Sequence, residues 1–335
     1  MPRPLAPPAP LAVSAALTEA PVLAQVVRSG VVESVHRATA VLTRPDGSIE
    51  QAWGVPTGLI FPRSANKPIQ AVGMLEAGLD LPSEQLALVC ASHSGESFHL
   101  RTALEILHGA ALGEADLRNT PDYPVDEIER EAWIRAGYGK TSLAQNCSGK
   151  HAGMLATAAR HGWDRATYLD PEHPVQQAIT AAVERLTAGP IGALAVDGCG
   201  APLHGIRLQG LAAAFGRIAA APATAPGSPE AGVAEAIRAH PELLGGSRRQ
   251  VTTLIRETPG LVAKDGAESV YAVGLADGRG IALKVADGHP RAKAVILAAI
   301  LRRLGVGSPS AYAALEDAPV LGHGRPVGAI VAVGI

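Results

Sequence analysis

The chain has few cysteines, no long run of charges of one sign and no long apolar run, and each absence argues against a class of protein. Three cysteines, Cys90, Cys147 and Cys199, are too few and too scattered for a disulfide framework, so we expect a reducing, cytoplasmic environment. The net charge is -2, from 29 basic and 31 acidic residues, which gives no reason to expect nucleic acid or an anionic membrane as partner. No apolar segment approaches the roughly 20 residues of a membrane-spanning helix. We therefore expect a small-molecule partner.

Lysine is also scarce, because only six of the 29 basic residues are lysines. Where arginine supplies nearly every positive charge, a retained lysine suggests a task that arginine cannot perform. The obvious task is to lose a proton, since a desolvated amine can approach a neutral pKa and a guanidinium cannot. Three lysines, Lys67, Lys150 and Lys264, stand in motifs, whereas the sequence predicts no role for Lys140 and Lys293.

The order of hydrophobic patterns predicts an α+β fold. With 335 residues, 47% of them hydrophobic, the chain is long enough for a substantial core. Strand-like patterns occur near both chain ends, Ala-rich helical patterns fill the middle, and no regular strand–helix alternation appears. This order predicts one antiparallel sheet from both chain ends, flanked by helices, with a helical lobe over about 80–260. We interpret 1–23 as a flexible Ala/Pro-rich leader and 24–335 as a single catalytic domain.

An S-x-x-K motif, Ser64 to Lys67, stands directly before a predicted helix. At helical spacing the two side chains share a face, so a deprotonated amine could activate the hydroxyl. A helix N-terminus also favours a developing negative charge. Taken alone the motif is weak, because an N-capping serine with a solvated lysine has the same spacing.

Two further segments carry polar groups that could line a site. In Cys90-Ala91-Ser92-His93-Ser94-Gly95-Glu96, a cluster of small polar groups ends an apolar run. Ser92 could point into a site whose substrate contacts are His93, Ser94 and Glu96, although a capped turn has the same pattern. Lys264 stands at the end of an apolar strand before Asp265 and Gly266. This position would place an amine between the sheet and the helices, although a simple turn explains the Asp-Gly pair equally well.

Cysteines near a lysine and a histidine indicate a possible metal site. Cys147 and Lys150 repeat the three-residue spacing as a helix begins, His151 follows, and Cys199 lies between two glycines. Zinc prefers sulfur and nitrogen ligands, and lysine is an unusual ligand because its amine must first lose a proton. From spacing alone His151 is the more natural third ligand. Buried structural thiols and a catalytic cysteine remain alternatives.

Together the serine and lysine motifs resemble the architecture of serine β-lactamases and penicillin-binding proteins, in which S-x-x-K opens a helix beside the sheet and a K-x-G segment lies on a late strand. RSANK, ASHSGE, QNCSGKHAGM, DGCGAP and VAKDGAE resemble, in the same order, the Rhizobium etli-type (class 3) L-asparaginases of the asparaginase II family. The resemblance implies a β-lactamase-like fold, a homodimer, and conversion of L-asparagine to L-aspartate and ammonia.

Carried onto this sequence, the resemblance also implies roles for individual residues. Ser64 with Lys67, and Ser92 with Lys264, would form two catalytic serine–lysine pairs. One zinc ion per chain would be held by Cys147, Lys150 and Cys199, which favours Lys150 over His151, and would support substrate affinity more than the chemical step. The expected substrate-binding residues are Arg63, His93, Glu96, Asp197 and Asp265.

Three rival functions remain open from the sequence. A glutaminase or other small-amide hydrolase would use the same serines and lysines. A β-lactamase or transpeptidase would share the fold, but no clear S-D-N motif is present. The chain could also be a non-catalytic protein that binds zinc or senses thiol oxidation.

Overall fold

The first part of the predicted leader lies outside the residues that the structure describes. This computed structural model describes residues 13–335. Ser14 caps a short helix, Ala15–Thr18, and the first strand begins at Val22. Ala16 is fully buried, and its carbonyl accepts a hydrogen bond of 2.7 Å from the Thr39 hydroxyl. Residues 13–23 therefore pack against the domain that follows them.

All strands pair antiparallel and form two sheets. Their bounds are β1 Val22–Arg28, β2 Val31–Thr43, β3 Ile49–Trp53, β4 Leu59–Ile60, β5 Ala193–Val196, β6 Pro202–Arg207, β7 Val262–Gly266, β8 Val270–Gly274, β9 Gly280–Val285, β10 Pro319–Gly322 and β11 Arg325–Ala332. The 8-stranded sheet has the order β10-β11-β1-β2-β9-β8-β7, with β3 also paired to β2, and the smaller sheet has the order β4-β6-β5. Strands from both chain ends thus share one sheet, which confirms the predicted α+β class.

Most helices of the described chain lie between residues 67 and 256, with one short helix before β1 and two helices near the C-terminus. Their bounds are α1 Ala15–Thr18, α2 Lys67–Glu76, α3 Ser83–Val89, α4 Ser97–Gly109, α5 Glu127–Arg135, α6 Ser148–His161, α7 Pro174–Thr187, α8 Leu208–Thr224, α9 Pro229–Ala239, α10 Pro241–Leu244, α11 Gln250–Arg256, α12 Lys293–Arg303 and α13 Pro309–Glu316. Within the described residues, no helix is long and apolar enough to cross a membrane.

The large sheet is packed against helices, and glycines permit close contact with one of them. Helix α8 packs on β2, β8 and β9, and α12 contacts β8, β9 and β11. A methyl group at Gly280 would lie 1.8 Å from the Ala212 carbonyl oxygen, and one at Gly274 would lie 1.9 Å from that of Phe215. The strand backbones therefore meet the α8 backbone directly, as only glycine allows. Every residue of β8 and β9 is buried.

The edge of the large sheet at β7 faces the start of α2. A 3-10 turn, Arg63–Asn66, runs directly into α2, whose residues from Lys67 to Met74 are all buried. Gly266 at the end of β7 lies so close to this turn that an added methyl group would be 2.6 Å from the Pro62 carbonyl oxygen. This contact brings the S-x-x-K motif on the helical side against the Lys264 segment on the sheet.

Candidate active site

The S-x-x-K motif begins at a residue with an unusual backbone conformation. Arg63 has φ +52°, in the left-handed region that residues other than glycine rarely adopt. Ser64 and Lys67 are three residues apart across the 3-10 turn, and side chains at this spacing eclipse one another. Ser64 is half-buried, whereas Lys67 is only 1% exposed. The serine is therefore the more accessible member, at a point where backbone strain is typical of functional sites.

Lys67 contacts the second serine rather than the first. Its Nζ donates to the Ala91 carbonyl at 2.5 Å, to Ser92 Oγ at 3.1 Å and to Cys147 Sγ at 3.1 Å. No hydrogen bond joins it to Ser64 within residues 13–335. The sequence paired Lys67 with Ser64, and Ser92 with Lys264. In the structure, the hydrogen bonds of Lys67 instead link Ser92 to Cys147.

Lys264 is fully buried on β7 and is held by its own neighbour. Its Nζ donates to the Asp265 carbonyl at 2.6 Å and to Asp265 Oδ1 at 3.2 Å. Burial lowers the pKa of Lys264 to about 8; Asp265 opposes this shift, and the cations Lys67 and Arg249 add to it. An amine with this pKa can gain or lose a proton near neutral pH, which is what proton transfer requires.

The predicted metal-binding side chains meet in one buried cluster. Lys150 Nζ donates to Cys199 Sγ at 3.3 Å. The hydrogen bond between the two thiols is the largest effect on each: it lowers the pKa of Cys199 to about 5 and raises that of Cys147 to about 12. Burial lowers the pKa of Lys150, but attraction by Cys199 and Cys147 outweighs it, so the pKa of Lys150 is raised. At neutral pH the cluster therefore holds a thiolate beside an ammonium group.

This donor set fits zinc, provided that Lys150 releases its proton. Two sulfurs and one nitrogen are ligands that zinc prefers, and the low pKa of Cys199 provides one thiolate without a metal. Nowhere in residues 13–335, this cluster included, do three His, Cys, Asp or Glu side chains lie close enough together to hold a metal ion. A site at this cluster would therefore need the lysine as its third ligand.

His151, the alternative ligand, is directed toward Tyr168. Its Nδ1 lies 2.7 Å from the Tyr168 hydroxyl, within hydrogen-bond distance. Its Nε2 is buried and has no hydrogen-bond partner among residues 13–335. Burial is the main reason why the pKa of His151 lies well below its usual value, and the Lys150 charge adds to the shift. His151 is therefore neutral and anchored by Tyr168.

Arg63 and Asp197 form an ion pair between the first motif and the cysteine segment. Arg63 Nε donates to Asp197 Oδ1 at 2.7 Å. Burial raises the pKa of Asp197, but the charges of Lys150 and Arg63 outweigh it and keep the pKa below its usual value. The carboxylate is thus ionised between two cations. The structure brings these two predicted substrate-binding residues together at the motif that carries Ser64.

His93 and Glu96, also predicted as substrate contacts, are engaged within the protein. His93 is fully buried, and its Nε2 lies 2.8 Å from Ser148 Oγ. Glu96 accepts a hydrogen bond of 2.8 Å from the Ser247 amide and is 8% exposed. These contacts fix the Ser92 segment against the start of α6 and the segment before α11, which suits a supporting role better than substrate contact.

Several residues of the site carry no signal in the sequence patterns. Arg249 and Lys293 both contact the Asp265 carboxylate, so Lys293 is not the uninvolved residue that we expected. Lys140, the other lysine without a predicted role, pairs with Asp122 on the surface at 3.1 Å. Both polar atoms of the Asn66 side chain are buried without a partner among the described residues. Only the position of Asn66 within RSANK could have drawn attention to it.

Comparison with known proteins identifies the family. The family model described as L-asparaginase II matches residues 24–332 of the chain. A search of curated proteins finds no significant match. Among solved structures, a beta-lactamase from Mycobacterium bovis is 13% identical, covers 79% of this chain and 94% of its own, and has a TM-score of 0.44. A candidate beta-lactamase from Bacteroides dorei is 12% identical over 79% of this chain and 93% of its own, with a TM-score of 0.41. Both likenesses are distant.

Proposed function

The chain belongs to the L-asparaginase II family of amidohydrolases, and from that premise we propose that it hydrolyses the side-chain amide of L-asparagine to L-aspartate and ammonia. The observation that carries the proposal is the contact of Lys67 Nζ with Ser92 Oγ, 3.1 Å apart. It joins one predicted serine–lysine pair to the other in a buried setting where a lysine can act as a base.

Ser64 is the proposed nucleophile. Its greater exposure than that of Ser92, which is 5% exposed, supports this choice because the nucleophile must reach the substrate. The Ser64 oxygen attacks the carboxamide carbon, and its proton passes to Lys67, whose amine must be deprotonated to act as the base. The C–O bond that forms gives a tetrahedral intermediate, in which donors at the site stabilise the oxyanion.

Ser92 and Lys264 are the proposed proton relay to the leaving group. Collapse of the intermediate breaks the C–N bond, and the leaving nitrogen takes a proton and departs as ammonia. Water then attacks the acyl-enzyme and releases aspartate, with the same lysines accepting and returning the proton. The pKa of Lys264, about 8, supports this role since the amine can exchange its proton near neutral pH.

Cys147, Lys150 and Cys199 are the residues that would hold one zinc ion per chain, after Lys150 has released its proton. A bound zinc would supply a positive charge that anchors polar groups of the substrate and so supports affinity. Arg63 and Asp197, paired at 2.7 Å, would orient the amino and carboxyl groups of asparagine. We also propose a cytoplasmic homodimer, by resemblance to the family; light scattering of the purified chain would test the oligomeric state.

An ammonia-release assay tests the proposed function. Wild-type protein is incubated with L-asparagine and with L-glutamine, and zinc content is measured on the same sample. Ring opening of a β-lactam releases no ammonia and is followed separately by its absorbance. We expect more ammonia from asparagine than from glutamine and no opening of the β-lactam. Release from asparagine should be lost in Ser64→Ala and Lys67→Met and unchanged in the surface control Lys140→Met. Wild-type protein that releases no ammonia from asparagine, or a fully active Ser64→Ala variant, would show that the proposal is wrong.

A further inference from the structure

Three cations share the single carboxylate of Asp265. Arg249 Nη2 donates to Oδ2 at 2.9 Å, Lys293 Nζ to Oδ2 at 3.1 Å, and Lys264 Nζ to Oδ1 at 3.2 Å. The side chains of Asp265 and Lys293 are each 13% exposed, and that of Lys264 is 0% exposed. Solvent therefore screens these charges weakly, and each cation affects the others.

The cations come from three separate elements of the fold. Lys264 lies on β7 beside Asp265, Arg249 directly precedes α11, and Lys293 is the first residue of α12. Lys293 also donates to the Gly266 carbonyl at 3.1 Å and lies over the Tyr271 ring, 5.9 Å from its centroid. The amine of Lys293 is thus fixed to the strand that carries Lys264.

One negative charge cannot neutralise three positive charges. The carboxylate that holds Lys264 is at the same time held by Arg249 and Lys293, so its attraction for Lys264 is shared. We propose that Arg249 and Lys293 are positioning residues that prevent Asp265 from binding Lys264 as an exclusive ion pair, and so keep Lys264 able to release its proton during the reaction. The part of this inference that concerns the reaction rests on the proposed function; the part that concerns proton affinity does not.

The charges around Lys264 act on its proton affinity in opposite directions, the cations against the Asp265 carboxylate. Burial is the largest cause of the lowered pKa of Lys264, Asp265 raises it, and Lys67 and Arg249 lower it. The Cys90 thiol at the end of α3 lies in the field of Lys264 and stays neutral, because burial raises its pKa to about 12. Burial and the neighbouring Asp265 likewise raise the pKa of Tyr271. Removal of a cation should therefore raise the proton affinity of Lys264, and removal of the carboxylate should lower it.

The small number of lysines makes a direct test possible. Protein labelled with ¹³C at lysine Cε gives at most six side-chain signals, and single Lys→Met variants assign them. The Lys264 signal is followed against pH in the full-length protein. In Lys293→Met and in Arg249→Met we expect its titration midpoint to rise by about one pH unit, whereas in Asp265→Asn it should fall.

Two matched variants separate charge from packing. Lys293→Arg keeps the positive charge and should leave the midpoint near that of wild type. Lys140→Met removes a lysine whose Asp122 partner is half-exposed, and should also leave it unchanged. If Lys293→Met does not fold, as judged by circular dichroism, Arg249→Met tests the same direction of change. A Lys264 midpoint that stays at the wild-type value in folded Lys293→Met or Arg249→Met would overturn the proposal.

The pH dependence of ammonia release distinguishes this inference from the proposed function. Because Lys264 donates its proton to the leaving group, kcat should fall as pH rises through its titration midpoint. In Lys293→Met this fall should move to higher pH together with the NMR midpoint, and Lys293→Arg should restore it. If wild-type protein releases no ammonia, the proposed function fails, while the NMR titration still decides whether Arg249 and Lys293 control the proton affinity of Lys264. If the midpoint moves but the kcat profile does not, the role of these residues in the reaction is refuted.

Discussion

Replacement of Gly266 by alanine tests whether the contact between β7 and the S-x-x-K turn organises the site. The added methyl group would lie 2.6 Å from the Pro62 carbonyl oxygen and 3.1 Å from the Ala65 amide nitrogen. Both atoms belong to backbone that cannot rotate away. Ordinary van der Waals contact at 3.4 Å requires the turn and the strand to separate by about 0.8 Å, which would move Ser64 and Lys67 relative to Lys264.

The expected result is a larger effect on activity than on stability. Overpacking of this kind costs about 1–3 kcal/mol in the free energy of unfolding, so thermal denaturation should show a Tm lower by a few degrees. A displacement of about 1 Å at reacting groups can cost about 100-fold in rate. We therefore expect kcat/KM for asparagine, measured by ammonia release, to fall by about 10- to 100-fold.

A matched glycine elsewhere provides the control. Gly109 ends α4, and a methyl group there would meet no atom within 4 Å. Gly109→Ala should keep wild-type activity and match or slightly exceed the wild-type Tm. If Gly266→Ala retains both wild-type kcat/KM and wild-type Tm, the close contact between β7 and the turn does not position the catalytic groups, and this reasoning is refuted.

Two further predictions follow from the buried ionisable groups. The pKa of Lys264 is lowered to about 8 in the folded protein from the ~10.4 of a free side chain. The folded state therefore loses this proton at lower pH than the unfolded state, so the free energy of unfolding should rise between pH ~8 and ~10. Denaturant titrations should show this rise in wild-type protein and not in Lys264→Met. The pKa of Cys199 is about 5 and that of Cys147 about 12, so in metal-stripped protein at pH ~6 iodoacetamide should modify Cys199 first. Peptide mass spectrometry checks the order, and faster modification of Cys147 would contradict it.

The sheet could be predicted from sequence because its signals are local. Segments of alternating apolar and polar residues, joined by short turns, occur near both chain ends. This pattern specifies an antiparallel sheet independently of the structure of the residues between them. The packing of residues 13–23 against the domain could not be predicted, since the Ala-rich stretch around Ala16 has a composition typical of a loose tail. Its order depends on a tertiary contact, the hydrogen bond from Thr39 to the Ala16 carbonyl, which local sequence does not encode.

The site could be predicted as a set of motifs but not as a set of contacts. Which serine Lys67 meets depends on the Ser92 segment, whose Ser92 amide donates to the Leu244 carbonyl at 3.1 Å. That partner is about 150 residues away in the sequence, so no spacing rule predicts it. Lys293 begins an ordinary amphipathic helix and stands in no motif. Only the folded structure, in which its amine reaches Asp265 and Gly266 at the end of β7, reveals this contact.

The most direct measurement of the central claim is the location of the acyl group during asparagine hydrolysis. Enzyme mixed with L-asparagine is quenched in acid on the millisecond scale, digested and examined by peptide mass spectrometry. We expect an aspartyl ester on the peptide that contains Ser64 and none in Ser64→Ala. An ester on the Ser92 peptide, or ammonia release from asparagine with no ester on either serine, would contradict it.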